Sequence, residues 1–134
     1  NGFTDLAIPL DSEPNDIQSS ADGILFVSCL QHIIVIKNDV ILKSHPMPYE
    51  PLSCSFSNQQ QQLAVLTKDN IFFVYQYSPD GSLKQIYKSE AYLDLGSIVR
   101  YSPDGKFLAV TAGRYLFILN PHDNFSEVKK SSHS

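Results

Sequence analysis

One hairpin pattern occurs three times along this chain, and that repetition limits the fold more than any other feature. Each copy has a short strand, a polar turn, an apolar strand, a second turn and a third strand. In the first copy residues 16–19 lead through Ser20-Ala21-Asp22-Gly23 to residues 24–29, then past Gln31-His32 to Ile33-Ile34-Val35-Ile36. In the second, residues 52–56 precede Ser57-Asn58 and Gln59-Gln60-Gln61-Gln62. Leu63-Ala64-Val65-Leu66, Lys68-Asp69-Asn70 and residues 71–75 follow. The third runs from residues 98–101 through Ser102-Pro103-Asp104-Gly105, residues 107–111 and Ala112-Gly113-Arg114 to residues 115–119. Gly, Pro, Asn and Asp between short apolar runs are the residues that reverse a β chain.

The serines opening the first turns are Ser20, Ser57 and Ser102, so successive copies are 37 and 45 residues apart. Those intervals bracket the period of WD repeats, roughly 40 to 45 residues. A fourth, more amphipathic strand follows each copy: Val40-Ile41-Leu42-Lys43, residues 83–87 and residues 125–128. Four antiparallel strands per unit make a propeller blade. The sequence therefore predicts an all-β chain, a partial β-propeller of about three four-stranded WD-repeat blades. Its units are residues 15–48, 49–93 and 94–130, preceded by the outer strand of an earlier blade in 1–14 and followed by a tail in 131–134. The runs Ile24-Leu25-Phe26-Val27, Ile33-Ile34-Val35-Ile36, Ile71-Phe72-Phe73-Val74 and Leu116-Phe117-Ile118-Leu119 are continuously apolar. Sheets covered on both faces read this way. No segment reads as a helix longer than a turn.

The charge pattern narrows the partners. With a formal net charge of -4, the chain offers no basic footprint for a nucleic acid or an anionic membrane, which leaves proteins as the expected partners. Its first residues, Asn1-Gly2-Phe3-Thr4-Asp5, lack the basic start and apolar core of an export signal. Cys29 and Cys54 each sit in an apolar run and read as buried, reduced thiols, in keeping with a cytoplasmic location.

No catalytic, cofactor-binding or metal-ligating set emerges. His32, His45, His122 and His133 lack ligand spacing and read as turn and tail residues. No Gly-x-Ser-x-Gly elbow or phosphate-cradling Gly-rich loop occurs. Asp22-Gly23, Asp80-Gly81 and Asp104-Gly105 fall where tight turns need positive φ, a simpler account than calcium ligation. The glutamine run reads as a solvated hairpin tip. Phe72, Phe73, Tyr75, Phe107, Tyr115 and Phe117 read as buried core rather than a base-stacking platform, since no basic cluster accompanies them. The segment Lys129-Lys130-Ser131-Ser132-His133-Ser134 reads as a polar terminus. The chain is accordingly expected to be no enzyme and to need no cofactor.

The collinear order of several segments is similar to the second propeller of the actin-interacting protein 1 family. They are residues 10–15, Ser19-Ser20-Ala21-Asp22-Gly23, His32-Ile33, Leu63-Ala64-Val65, Val74-Tyr75, residues 101–110 and Asn124-Phe125. The resemblance spans nearly the whole chain and implies binding to actin filaments with ADF/cofilin, promotion of filament disassembly, and a place in the cytoplasmic actin cytoskeleton. The chain departs from the family in lacking the first propeller, the remaining blades of the second, any Trp and the Gly-His pairs; Lys37-Asn38, Gln76-Tyr77 and Asn120-Pro121 stand where Trp-Asp would end the third strands. No position matches a known actin or cofilin contact, so those contacts stay unassigned. The alternative is a generic WD-repeat scaffold for another multiprotein complex.

Three blades cannot close a seven-membered ring. Residues 3–8 are expected to be a poorly ordered outer strand without its own sheet, and the bare lateral faces are expected to make the isolated chain self-associate.

Overall fold

The computed structural model describes residue 10 and residues 12–91 and 96–132, of which 96, 97 and 129–132 are described by backbone alone. The strand expected in residues 3–8 lies outside the described residues.

Among the described residues, three four-stranded antiparallel sheets follow one another along the chain. The first blade holds β1 (Asp16–Ser19), β2 (Leu25–Cys29), β3 (His32–Lys37) and β4 (Val40–Pro46). The second holds β5 (Pro51–Ser57), β6 (Gln62–Thr67), β7 (Phe72–Tyr77) and β8 (Leu83–Lys88). The third holds β9 (Gly96–Tyr101), β10 (Leu108–Ala112), β11 (Tyr115–Asn120) and β12 (Ser126–Ser132). Each sheet pairs its strands in sequence order, the meander of a propeller blade. The one helical element among the described residues is a single 3-10 turn, Pro121–Asp123.

The repeated serines close their own turns. Ser20 Oγ accepts from the N–H groups of Asp22 and Ile24, Ser57 Oγ from that of Gln60, and Ser102 Oγ from that of Phe107. A hydroxyl here replaces a missing backbone partner, so the anchor of the repeat is a turn-stabilising device. Gly23, Gly81 and Gly105 sit at φ +81, +91 and +72, which confirms the turn role of all three Asp-Gly pairs.

A second periodic feature escapes sequence reading. In every blade the pairing of third and fourth strands slips by one residue: Val35↔Lys43 is followed by Ile36↔Ile41, Val74↔Tyr87 by Tyr75↔Gln85, and Ile118↔Lys129 by Leu119↔Glu127. Leu42, Ile86 and Val128 are the extra residues. A bulge at the same place in each outer strand bends it and strengthens the local twist.

Two apolar layers join the blades. Between the first and second lie Phe26, Val35, Phe56, Val65, Phe73 and Tyr75, with the Phe26 and Phe56 rings stacked at 4.6 Å between centroids and 24° between planes. Between the second and third lie Leu66, Phe72, Val74, Val99, Leu108 and Val110. Alternate residues of β6 and β7 enter opposite layers, which is why the middle blade needs continuous apolar runs.

The third blade corrects that expectation at one end of the arc. Leu119 is buried against the second blade, whereas Leu116, Phe117 and Ile118 are only partly buried. Leu116 and Ile118 alternate with Leu119 along β11 and so face the open side, with Ile98 of β9 at 47 % exposure nearby in the same sheet. Phe107 and Tyr115 are exposed rather than core, because Phe107 precedes β10 and Tyr115 sits at the strand's start beside the turn. Strand β12 starts one residue later than expected and reaches Ser132, two residues into the expected tail, because Ser131 and Ser132 pair with Leu116 and Tyr115.

Candidate functional site

The first strands of successive blades lie against one another, and their polar side chains fasten them. Asp16 Oδ2 accepts from the Cys54 N–H at 3.1 Å, and Asn15 Nδ2 donates to the Pro51 carbonyl at 2.8 Å. One blade along, Ser53 Oγ accepts from the Val99 N–H at 3.3 Å and Ser55 Oγ from the Tyr101 N–H at 2.9 Å. Asp16 and Ser53 occupy equivalent positions, each four residues before its anchor serine. Arg100 reaches back over this seam: its Nη1 donates to Ser53 Oγ, the Cys54 carbonyl and the Val99 carbonyl, 4.0 Å from Asp16 Oδ2.

Sequence reading missed these roles. Ser53, Ser55 and Arg100 were not singled out, although small polar residues spaced by two in an otherwise apolar strand could have signalled a buried polar seam. Cys54 lies inside it, and both cysteines are buried with neither in a disulfide. Burial, with the Asp16 charge second, pushes the Cys54 thiol up to about 12. Such a thiol is inert rather than catalytic.

The other residues weighed from sequence are dispersed. His32 begins β3, His45 lies in β4 with its ring 4.9 Å from that of Tyr75, and His122 occupies the 3-10 turn; His133 lies outside the described residues. Reading His32 and His45 as turn residues is therefore corrected: both belong to strands because β3 and β4 pair over their full lengths. Burial lowers the pKa of His45. The glutamine tip is more than solvated. Gln76 Nε2 donates to the carbonyls of Gln60 and Gln61, and the Gln60 amide meets His122 Nε2 at 3.1 Å, tying the second blade to the third. Among the described residues no group of three or more His, Cys, Asp or Glu could hold a metal, and no helix is long and apolar enough to cross a membrane.

One cleft of about 220 Å³ opens between the outer strands of the second and third blades. Phe72, Tyr87 and Phe125 wall it, Leu119 floors it, and Glu90 and Glu127 stand at its edge.

No family model matches the sequence. A 66 kDa stress protein of Physarum polycephalum is 26% identical over 111 residues, covering 81% of this chain and 18% of that protein. The chain thus spans less than a fifth of that relative. Among solved structures, the RRP9 WD40 repeats superpose with a TM-score of 0.81 at 15% identity, over 94% of this chain and 40% of theirs. The β-propeller domain of Myceliophteria thermophila Cps50 (Swd1) gives 0.75 at 16%, over 90% and 44%. Kuenenia stuttgartiensis hydrazine synthase gives 0.79 at 17%, over 99% and 40%. Identities this low speak for the fold alone. On the three sheets, their meander order and these likenesses, the chain has the fold of three consecutive blades of a WD40-type β-propeller.

Proposed function

We propose that the chain is a protein-binding module, part of a longer WD-repeat scaffold that engages actin filaments carrying ADF/cofilin and promotes their disassembly. The observation that supports binding is the way the blades are fastened. Apolar layers and inner-strand hydrogen bonds hold three sheets in fixed relation, so their turns form rigid rims suited to a macromolecular partner. The collinear resemblance supplies the actin part. A scaffold of another complex accounts equally well for the fold.

The test is filament pelleting with the full-length parent, with and without ADF/cofilin. The actin reading expects more actin in the supernatant only when cofilin decorates the filament, and little effect from the 134-residue chain alone, since a binding face shared among blades loses its multivalent gain when divided. Cofilin-bound actin left wholly unaffected would remove the actin reading and leave the scaffold reading standing.

A further inference from the structure

We infer that the cleft between β8 and the β11–β12 pair receives a basic side chain, arginine or lysine, from a partner protein. The inference rests on the protein-binding reading and names the chemistry of one contact. Leu119 and Glu127 are cross-strand partners, so both side chains leave the sheet on the side facing the second blade, where Leu119 is buried. Aromatic rings from both blades complete the lining. Tyr87 and Phe125 rings lie 4.7 Å apart by centroid, and Phe72 lies 5.4 Å from Tyr87.

Glu90 is held at the same mouth by the backbone. Ser89 N–H donates to the Phe72 carbonyl, the Phe72 N–H donates to Ser89 Oγ, and Ser89 Oγ donates to the Glu90 carbonyl. Neither Glu90 nor Glu127 has an ion-pair partner among the described residues, and no Lys or Arg lines the cleft. Two exposed carboxylates beside the partly exposed Tyr87 ring complement one ligand chemistry well: a cation on an apolar stem. The stem lies along Tyr87 at the cleft mouth, the charge meets the carboxylates, and the Tyr87 ring adds cation–π attraction. A neutral apolar side chain would gain nothing from the two carboxylates.

The probe is a fluorescein-labelled Gly-Gly-Arg-Gly-Gly peptide titrated with the full chain and read by anisotropy. A parallel measurement of carbodiimide labelling, resolved residue by residue by mass spectrometry, reports which carboxylates the peptide covers. Expected is saturable binding that protects Glu90 and Glu127, weakens by about fivefold in the Glu90→Gln/Glu127→Gln double variant, and weakens comparably with norleucine in place of arginine. Both glutamates are exposed, so the variant keeps its fold. No binding, equal binding by the norleucine peptide, binding indifferent to the double variant, or protection of other carboxylates would each overturn the inference. So would protection of Glu90 and Glu127 by calcium chloride alone, which would make this a metal site. None of these outcomes touches the filament-pelleting result, so a failure here stays separate from a failure of the actin reading.

Discussion

Asp16 of β1 accepts a hydrogen bond from the backbone N–H of Cys54 in β5, joining the first strand of one blade to that of the next at 3.1 Å. Cys54 is fully buried, so its N–H has no solvent to turn to if the acceptor is lost. Asp16→Ala is expected to cost about 1–3 kcal/mol in urea unfolding, the penalty of an unpaired buried donor. Asp16→Ser should recover part of the loss, because Ser53 performs the same task with a hydroxyl one blade along. Equal losses for the two variants would contradict the assignment.

The Asp-Gly turns separate conformational need from close approach. A Cβ on Gly81 would lie 2.8 Å from Leu42 Cβ in the preceding blade, whereas a Cβ on Gly23 would meet nothing within 4 Å. Both positions have positive φ, so both alanine variants are strained. Gly81→Ala should therefore be worse than Gly23→Ala by about 1–3 kcal/mol, the usual cost of overpacking. Thermal melts of the two variants compare them directly.

Phe73 is buried between the first and second blades beside Tyr75 and Tyr49. Phe73→Ala should lose about 3–5 kcal/mol, the range for a buried ring. Gln60→Ala removes one partly buried amide at a hairpin tip and should lose far less. Matching losses would contradict the placement of Phe73.

Alkaline pH should loosen the fold. The Cys54 thiol is pushed from an ordinary value of 9.0 to about 12, and burial alone raises Tyr75 from 10.0 to about 12. In the unfolded chain these groups ionise first, so stability is undiminished below pH 9, falls as pH rises from there and goes on falling toward 12. Cys54→Ala should make the decline between pH 9 and 12 shallower. Below pH 9 Cys54 should resist alkylation in the native chain and react on unfolding.

How far the sequence could be read is clear from particular residues. Ser20, Ser57 and Ser102 marked the repeat because each turn needs a side-chain acceptor, a local demand written in local sequence. The bulges at Leu42, Ile86 and Val128 were illegible, since a slip of one residue depends on how two strands twist together. The inner seam of Asp16, Ser53, Ser55 and Arg100 joins residues 38 to 47 positions apart, so the serine spacing hints at a polar seam while its partners stay hidden. The Phe72, Tyr87 and Phe125 cleft was hidden likewise, because its walls come from two blades. Leu116-Phe117-Ile118-Leu119 was read as covered on both faces from composition alone, but coverage depends on which neighbour stands beside the blade.

The open face of the third blade has a physical consequence. Ile98 is 47 % exposed, and Leu116 and Ile118 of the same sheet are only partly buried. Sedimentation velocity of the 134-residue chain across a dilution series should show association that grows with concentration and that Ile98→Lys weakens. A compact monomer at every concentration would show that this face needs no cover.

The stacking of the blades is tested most directly by aromatic NOEs in a dilute, deuterated chain with protonated Phe and Tyr. Phe26 to Phe56 reports the first seam, at 4.6 Å between ring centroids, and Tyr87 to Phe125 the second, at 4.7 Å. Three stacked propeller blades predict both cross-peaks. A folded chain that shows the strand pairings inside each sheet but neither of these contacts would contradict the propeller arc.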